Sequence, residues 1–439
     1  MVPLNEITTH KDFLGVPGAI SISLGLPIVV ILLYLLGNPD YVMDGFCIDF
    51  CKVSEVCKKH FVEEFHSTFA NSTCWKIYLA WFGGLVCLDL VLPGKLLKGV
   101  VLRDGTQLNY HINGLPMCGL LASILVARWL QTNGSMPELQ FLYNNILNFS
   151  IVTIEFSFLL ATACYLFSFT PLRRQNGVNT RSRILAVGGN TKNPIFDWFI
   201  GRELNPRIGS WDIKLFCELR PGMLLWLLIN LSCLHQQYLK EGKIFDSLLL
   251  VNFLQMFYIL DGVLNEEGLL TMMDIATDGF GFMLAFGDLT LVPFTYSLQA
   301  RYLVLKPVHL GLFNVVLICI LAFTGYYIFH SANTQKSKFR QGLLSSMKSI
   351  ETASGSKLLV DGWWRRSQHI NYLGDWLIAW SWCLPTGFSS ALPYYYVIYF
   401  GVLLVHRQTR DEDKCRRKYG KYWTMYQKEV PYKIIPYVY

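Results

Sequence analysis

The chain has 439 residues, a net charge of +7, and a composition that is 16% charged against 52% apolar and aromatic, whereas soluble domains average about 25% charged. With a mean hydropathy of +0.34, this balance excludes a disordered chain and disfavours a soluble enzyme, in which this length would form several far more charged domains. The apolar residues come in long blocks, so the expected fold is all-α: a polytopic integral membrane protein forming a single membrane domain.

In chain order, Phe13–Leu36 carries no charge. It lacks a basic leader and a small-residue cleavage pattern, and reads as a retained first span rather than a signal peptide. Further spans are expected over Ile77–Leu92, Gly114–Leu130, Ile146–Phe169, Gly222–Leu239, Ile244–Leu264, Gly279–Leu298, Val308–Phe329, Tyr372–Leu384 and Pro393–Val405. That makes about ten, of which the seventh and the last two are short or charged. A tail, 406–439, follows.

Loop charge orients the chain. Pro171–Arg220 carries nine basic residues against four acids, and the tail from Arg407 nine against four. With the basic loop Ser331–Gln368, these regions and the N-terminus are expected in the cytosol. The acidic loop Gly37–Thr73 falls opposite. It holds Cys47, Cys51 and Cys57, with Cys74 at its end, and the sequon Asn71-Ser72-Thr73, features that suit an oxidising lumen whether or not the cysteines pair. The acidic turn at Glu266, Glu267 and Asp274 runs against this orientation.

No Walker loop, H-E-x-x-H or Rossmann turn is present; Gly279-Phe280-Gly281 lacks the third glycine. No metal site is expected. Ionisable groups within spans are costly and usually face a cavity, and Glu155, Asp261, Asp278 and Asp288 fall there. Five acids lie between Asp261 and Asp278. This run is too polar to face lipid, so Glu266, Asp274 and Asp278 are expected to line a pocket; the alternative is a short loop of half-helices with internal ion pairs. Tyr258 lies about a turn before Asp261.

The C-terminal region carries the second signal. Arg407, Asp411, Cys415 and Tyr419 recur every four residues, which places them on one stripe of a helix stopped at Gly420. Lys336 and Arg340 repeat the spacing after the eighth span. Two such basic clusters suit the phosphates of a dinucleotide; a bare basic tail would instead meet anionic headgroups.

Five blocks carry a resemblance: GRELNPRIGSWDIKLFCELRPGMLLWLLINL, LDGVLNEEGLLTMMDIATDGFGFMLAFGDL, SANTQKSKFR, DGWWRRSQHINYLGDW and LLVHRQTRDEDKCRRKYGKYW with VPYKIIPYVY after it. They resemble the signature blocks of the sterol reductases and cover nearly all of Gly188–Tyr439. The likeness is greatest to the fungal branch that saturates the 14(15) double bond of delta-8,14-sterols.

The resemblance implies NADPH as cofactor, a sterol entering from the bilayer, and an endoplasmic reticulum membrane protein of sterol biosynthesis, with membrane lipids around it, no nucleic-acid partner, and protein partners left open. An alkene accepts hydride poorly, so an acid must protonate it, and a greasy pocket favours an un-ionised acid. By likeness, Tyr258 and Asp411 match proton-delivery positions. Lys336, Arg340, Arg407, Cys415 and Tyr419 match cofactor positions, and Trp364, His369, Asn371 and Asp375 fall in a block bordering the cofactor. The alternatives are a reductase of the delta-7 or delta-24(28) bond, a non-enzymatic sterol-binding scaffold, and a methyltransferase with a similar tail.

Overall fold

The computed structural model describes residues 4–37, 50–170, 183–353 and 355–439; Cys47 and the arginines at 173, 174 and 181 lie outside them. The chain is a predominantly helical, polytopic membrane protein. Among the described residues seven helices are long and apolar enough to cross a bilayer: Gly15–Leu36, Phe65–Val91, Gly114–Gln131, Ile146–Phe167, Ile213–Glu241, Asp246–Leu264 and Gly311–Arg340. Cys57 and Cys74 carry free thiols.

The three remaining expected spans take other forms. The seventh, 279–298, is broken into a helix Phe282–Phe286, a π-helical turn Gly287–Leu291 and a helix Val292–Thr295. Pro293 removes a backbone donor there, and the Gly222 backbone lies so close to the Asp288 carbonyl that no Cβ would fit. The ninth is a helix of 14 residues, Ile370–Cys383, about 21 Å long by helical rise. The tenth is the apolar half of a helix that continues unbroken to Tyr419.

The chain divides into two compact units, residues 1–244 with 255–306, and residues 245–254 with 307–439. In the first, α1 (Gly15–Leu36), α2 (Ser72–Val91), α3 (Gly114–Gln131), α4 (Ile146–Phe167) and α5 (Pro221–Glu241) accompany an antiparallel hairpin of β1 (Lys95–Val101) and β2 (Gln107–Ile112). Trp226, Phe196, Phe199, Phe216, Phe280, Phe282 and Phe286 are almost wholly buried. Gly279-Phe280-Gly281 serves packing: a Cβ on either glycine would strike the backbone of Gly201, itself at φ +94°. Glu203 takes Arg183 through both oxygens at 2.7 Å, and Arg202 donates to the Ser168 carbonyl at 2.8 Å.

Two buried cations of this unit are tied to partners. Arg220, 2% exposed, donates to Glu266 at 2.5 Å, to the Asn113 side chain at 2.8 Å and to Asp89 at 3.3 Å. Lys214, fully buried, donates to the carbonyls of Asp274, Ile275 and Asp278 at 2.7–2.8 Å. The acidic run therefore folds as short helices, Glu266–Leu269 and Met273–Ala276, stapled by a lysine and an arginine.

The second unit contains α7 (Gly311–Arg340), α8 (Ile370–Cys383), α9 (Tyr395–Tyr419) and α10 (Lys421–Glu429), with a short hairpin of β3 (Ser349–Glu351) and β4 (Lys357–Leu359). Helix α6 (Asp246–Leu264) starts here and ends in the first unit. Asp246 satisfies the open N-terminus of α7, accepting from Leu310 N–H at 3.0 Å and Gly311 N–H at 2.9 Å. Helices α7 and α8 meet backbone to backbone: a Cβ on Gly325 would lie 2.7 Å from the Gly374 carbonyl, and one on Gly374 2.6 Å from Phe329 N.

Removing one partner of a buried ion pair leaves uncompensated charge. Arg220→Met is accordingly expected to cost about 3–5 kcal/mol, read as a lowered thermal midpoint of the detergent-solubilised chain. An unchanged midpoint would refute the pairing.

Candidate active site

Four elements of the second unit supply the residues singled out in the sequence. The last turns of α7 present Lys336 and Arg340. A 3-10 turn, Gly362–Arg365, carries Trp364; the start of α8 carries His369, Asn371 and Asp375; and α9 carries Arg407, Asp411, Cys415 and Tyr419. The α9 stripe is helical as spaced, and Gly420 ends it at φ +51°.

The turn bearing Trp364 is fixed against α7. Gln335 accepts from Trp363 N–H at 2.9 Å, and the Trp364 indole, 2% exposed, donates to the Ala332 carbonyl at 3.0 Å. The ring then offers its face to Lys336, whose Nζ lies 3.8 Å from the ring centroid, a cation–π contact. Ala332, Phe339, Leu359 and Ile370 pack beside it. Arg340, one turn on, is exposed.

Asp411 gathers the acid–base groups. Its Oδ2 lies 3.7 Å from His369 Nε2 and 3.8 Å from Cys415 Sγ. Burial pushes the Cys415 thiol up to about 12, reinforced by the Asp411 charge and eased by Lys336, so the thiol stays protonated and unreactive. Burial pulls His369 down from its ordinary 6.5 to about 4, with Asp411 opposing and Lys336 assisting. The His369 ring stacks on Tyr372 with centroids 4.8 Å apart. Asn371 donates to Asn333 at 3.1 Å. His369 Nε2, which faces Asp411, and Asn371 Oδ1 are buried and make no hydrogen bond. Asp375 and Arg407 are half-buried on the same helices.

Several residues here carry no sequence motif. Glu412, next to Asp411, accepts from Gln408 at 2.8 Å, Gln427 at 3.0 Å and Arg416 at 2.8 Å, and meets Lys433 at 3.1 Å. Burial works against its charge, but these partners hold its carboxyl below the usual range. The C-terminal segment pairs with the start of α8 through Gln368 N–H to Tyr432 O at 2.9 Å and His369 N–H to Lys433 O at 2.8 Å. Trp423, Tyr426, Val430 and Val360 pack against Cys415 and Tyr419. The quoted block VPYKIIPYVY was the available signal, and its role needed the fold.

The residues expected toward the substrate lie in the first unit. Tyr258, half-buried, is on the part of α6 that belongs there. Glu266 has both carboxylate oxygens engaged, Oε1 by Arg220 and Oε2 by Gly114 N–H at 2.9 Å. It is tied into the frame, where a pocket-lining role had been expected. Asp274 and Asp278 are buried beside Lys214.

A His neutral when folded but chargeable when unfolded contributes stability above pH 6.5, lost as pH falls from 6.5 toward about 4. The thermal midpoint is therefore expected to fall across that window less steeply in His369→Gln than in the parent chain. Equal slopes would show that His369 does not titrate in this way.

The profile described as the Ergosterol biosynthesis ERG4/ERG24 family matches residues 7–439. The chain is 61% identical over 444 positions to the Delta(14)-sterol reductase ERG24 of Candida albicans, spanning 99% of both. It is 59% identical over 437 positions to the Delta(14)-sterol reductase ERG24 of Saccharomyces cerevisiae, again over 99% of both. To the Delta(14)-sterol reductase TM7SF2 of Mus musculus it is 45% identical over 374 positions, 83% of this chain and 86% of that protein. The resemblance carried by the C-terminal blocks thus extends over nearly the whole length, and the chain belongs to the Ergosterol biosynthesis ERG4/ERG24 family.

Proposed function

We propose that this chain is an NADPH-dependent reductase that saturates the 14(15) double bond of delta-8,14-sterol intermediates in ergosterol-type biosynthesis. The observation that carries this reading is the end-to-end identity of 61% and 59% with two proteins named Delta(14)-sterol reductase. The seven apolar helices suit a lipid substrate taken from the bilayer. The proposed setting is the endoplasmic reticulum membrane, with both termini in the cytosol.

The side chains of the second unit fit a phosphorylated dinucleotide. Lys336, Arg340 and Arg407 supply positive charge of the kind that binds phosphate, with an arginine fork suited to the 2′-phosphate that distinguishes NADPH from NADH. Trp364, Asn371, Asp375, Cys415 and Tyr419 would border the cofactor, with the Asn371 side-chain oxygen offering it a polar contact. NADPH, when bound, supplies the hydride.

The chain's own work is to bind, exclude water and move a proton. Asp411 gives its carboxyl proton to carbon 15, so that positive charge develops at the tertiary carbon 14, where hydride is accepted. Apolar walls keep water from that centre. Tyr258 is retained as a second proton-delivery residue, and Asp274 and Asp278 as polar lining on the substrate side.

In membranes bearing the purified chain, a delta-8,14-dienol should be reduced with NADPH and not with NADH. Reduction of a delta-7 or delta-24(28) bond instead would replace the substrate assignment, and sterol binding without turnover would make the chain a scaffold. Asp411→Asn should lower kcat by about 10²–10⁴ while NADP⁺ binding persists; full activity would remove it from the mechanism. Lys336→Ala should raise KM for NADPH more than it lowers kcat, and an unchanged KM would break the phosphate-binding assignment.

A further inference from the structure

This inference rests on the proposed reduction and follows its proton. Each turnover takes one proton and one hydride into the sterol. Once Asp411 has given up its proton it is a carboxylate, and the cycle closes only when a proton returns.

His369 is built into place beside it. Its N–H donates to Lys433 O at 2.8 Å, the N–H of Gln368 to Tyr432 O at 2.9 Å, and the Ser367 hydroxyl to Ile434 O at 2.9 Å. The C-terminal segment thus grips three consecutive residues, and Tyr372 covers the ring. Glu412 holds Lys433 at 3.1 Å while its neighbour Asp411 faces the imidazole, Oδ2 to Nε2 at 3.7 Å. Two adjacent acids on α9 therefore set one register: the first faces the ring, and the second anchors the residue whose carbonyl holds that ring's backbone.

His369 is 5% exposed and its Nε2 makes no hydrogen bond. A buried polar atom without a partner calls for an explanation. The charged groups acting on the ring are Asp411 and Glu412, which favour its cation, and Lys336, which opposes it.

We infer that His369 is the positioning residue that returns the proton to Asp411. While Asp411 is protonated, the buried ring stays neutral. Formation of the Asp411 carboxylate raises the proton affinity of the nitrogen it faces. The imidazole passes the proton on Nε2 to Oδ2 as its other nitrogen takes one from water, so the ring stays neutral throughout and regains its first tautomer by exchange with water. The sum is one solvent proton and one hydride into the alkene, with no reactant beyond NADPH and water.

The test uses the full-length chain in detergent or membranes, with His369→Ala and His369→Gln compared against the parent. Both variants should bind NADP⁺ within about twofold of the parent while kcat falls about a hundredfold. Added imidazole should restore His369→Ala saturably, more strongly as pH approaches neutrality from below, whereas pyrazole, similar in shape but a far weaker base, should not. His369→Gln, which keeps a side chain in the space, guards against collapse of the alanine variant, and its thermal midpoint reports folding.

Normal kcat in either folded variant overturns the relay, as does a loss of NADP⁺ affinity large enough to account for the lost activity, which would make His369 a cofactor contact. Slow turnover without imidazole rescue overturns it too. If the parent itself fails to reduce the dienol, the proposed function falls and takes the relay with it; if the parent reduces it, only the relay is at stake.

Discussion

The second unit depends on the contact between α7 and α8, where Gly325 and Gly374 let two helix backbones touch. A Cβ at either position would lie 2.6–2.7 Å from the facing backbone and force the helices apart, whereas most helix pairs stand about 8–10 Å apart on their side chains. The close crossing allows Trp364, on the turn before α8, to reach the Ala332 carbonyl of α7 and to lie under Lys336. His369, at the N-terminal end of α8, is brought to Asp411 of α9 by the same frame. Bulk at either glycine would therefore disturb cation, acid and base together.

Buried polar groups fix the backbone at particular points in each unit. In the first, charges are consumed: Arg220 is shared between Glu266 and Asp89, and Lys214 spends its donors on three carbonyls. Such groups hold non-helical backbone inside a mostly apolar body, where unsatisfied carbonyls would be costly. In the second, His369 Nε2 and Asn371 Oδ1 make no hydrogen bond, as is also true of Glu218 Oε2 and Asp288 Oδ2 in the first, and Lys336 lies over the Trp364 ring. What sets His369 apart among these is the Asp411 carboxylate that its Nε2 faces at 3.7 Å.

The C-terminal segment belongs to this site as much as the helices do. Glu412, with four polar partners, is a junction linking α9 to α10 and to Lys433. Through that junction the last residues of the chain set the place of His369. A tail that looks like a basic appendage in the sequence is folded back and packed, with Val430 and Ile434 buried.

What the residues alone determined was the class and the local signals. Long uncharged blocks dictate membrane helices, since no other structure satisfies the backbone in lipid. Fourfold spacing put Arg407, Asp411, Cys415 and Tyr419 on one stripe, and Gly420 marked its end, because these are properties of a single helix. Tertiary structure decided the rest. Composition could not show that 279–298 would break at a π-helical turn, because the cause is the Gly222 backbone pressed against it. Nor could it show that Glu266 would be tied to Arg220, 46 residues away, since hydropathy carries no information about partners. The grip of residues 432–434 on the segment around His369 was equally hidden: two of its three hydrogen bonds are backbone to backbone, with the Ser367 hydroxyl making the third, and only the folded chain brings the two segments together.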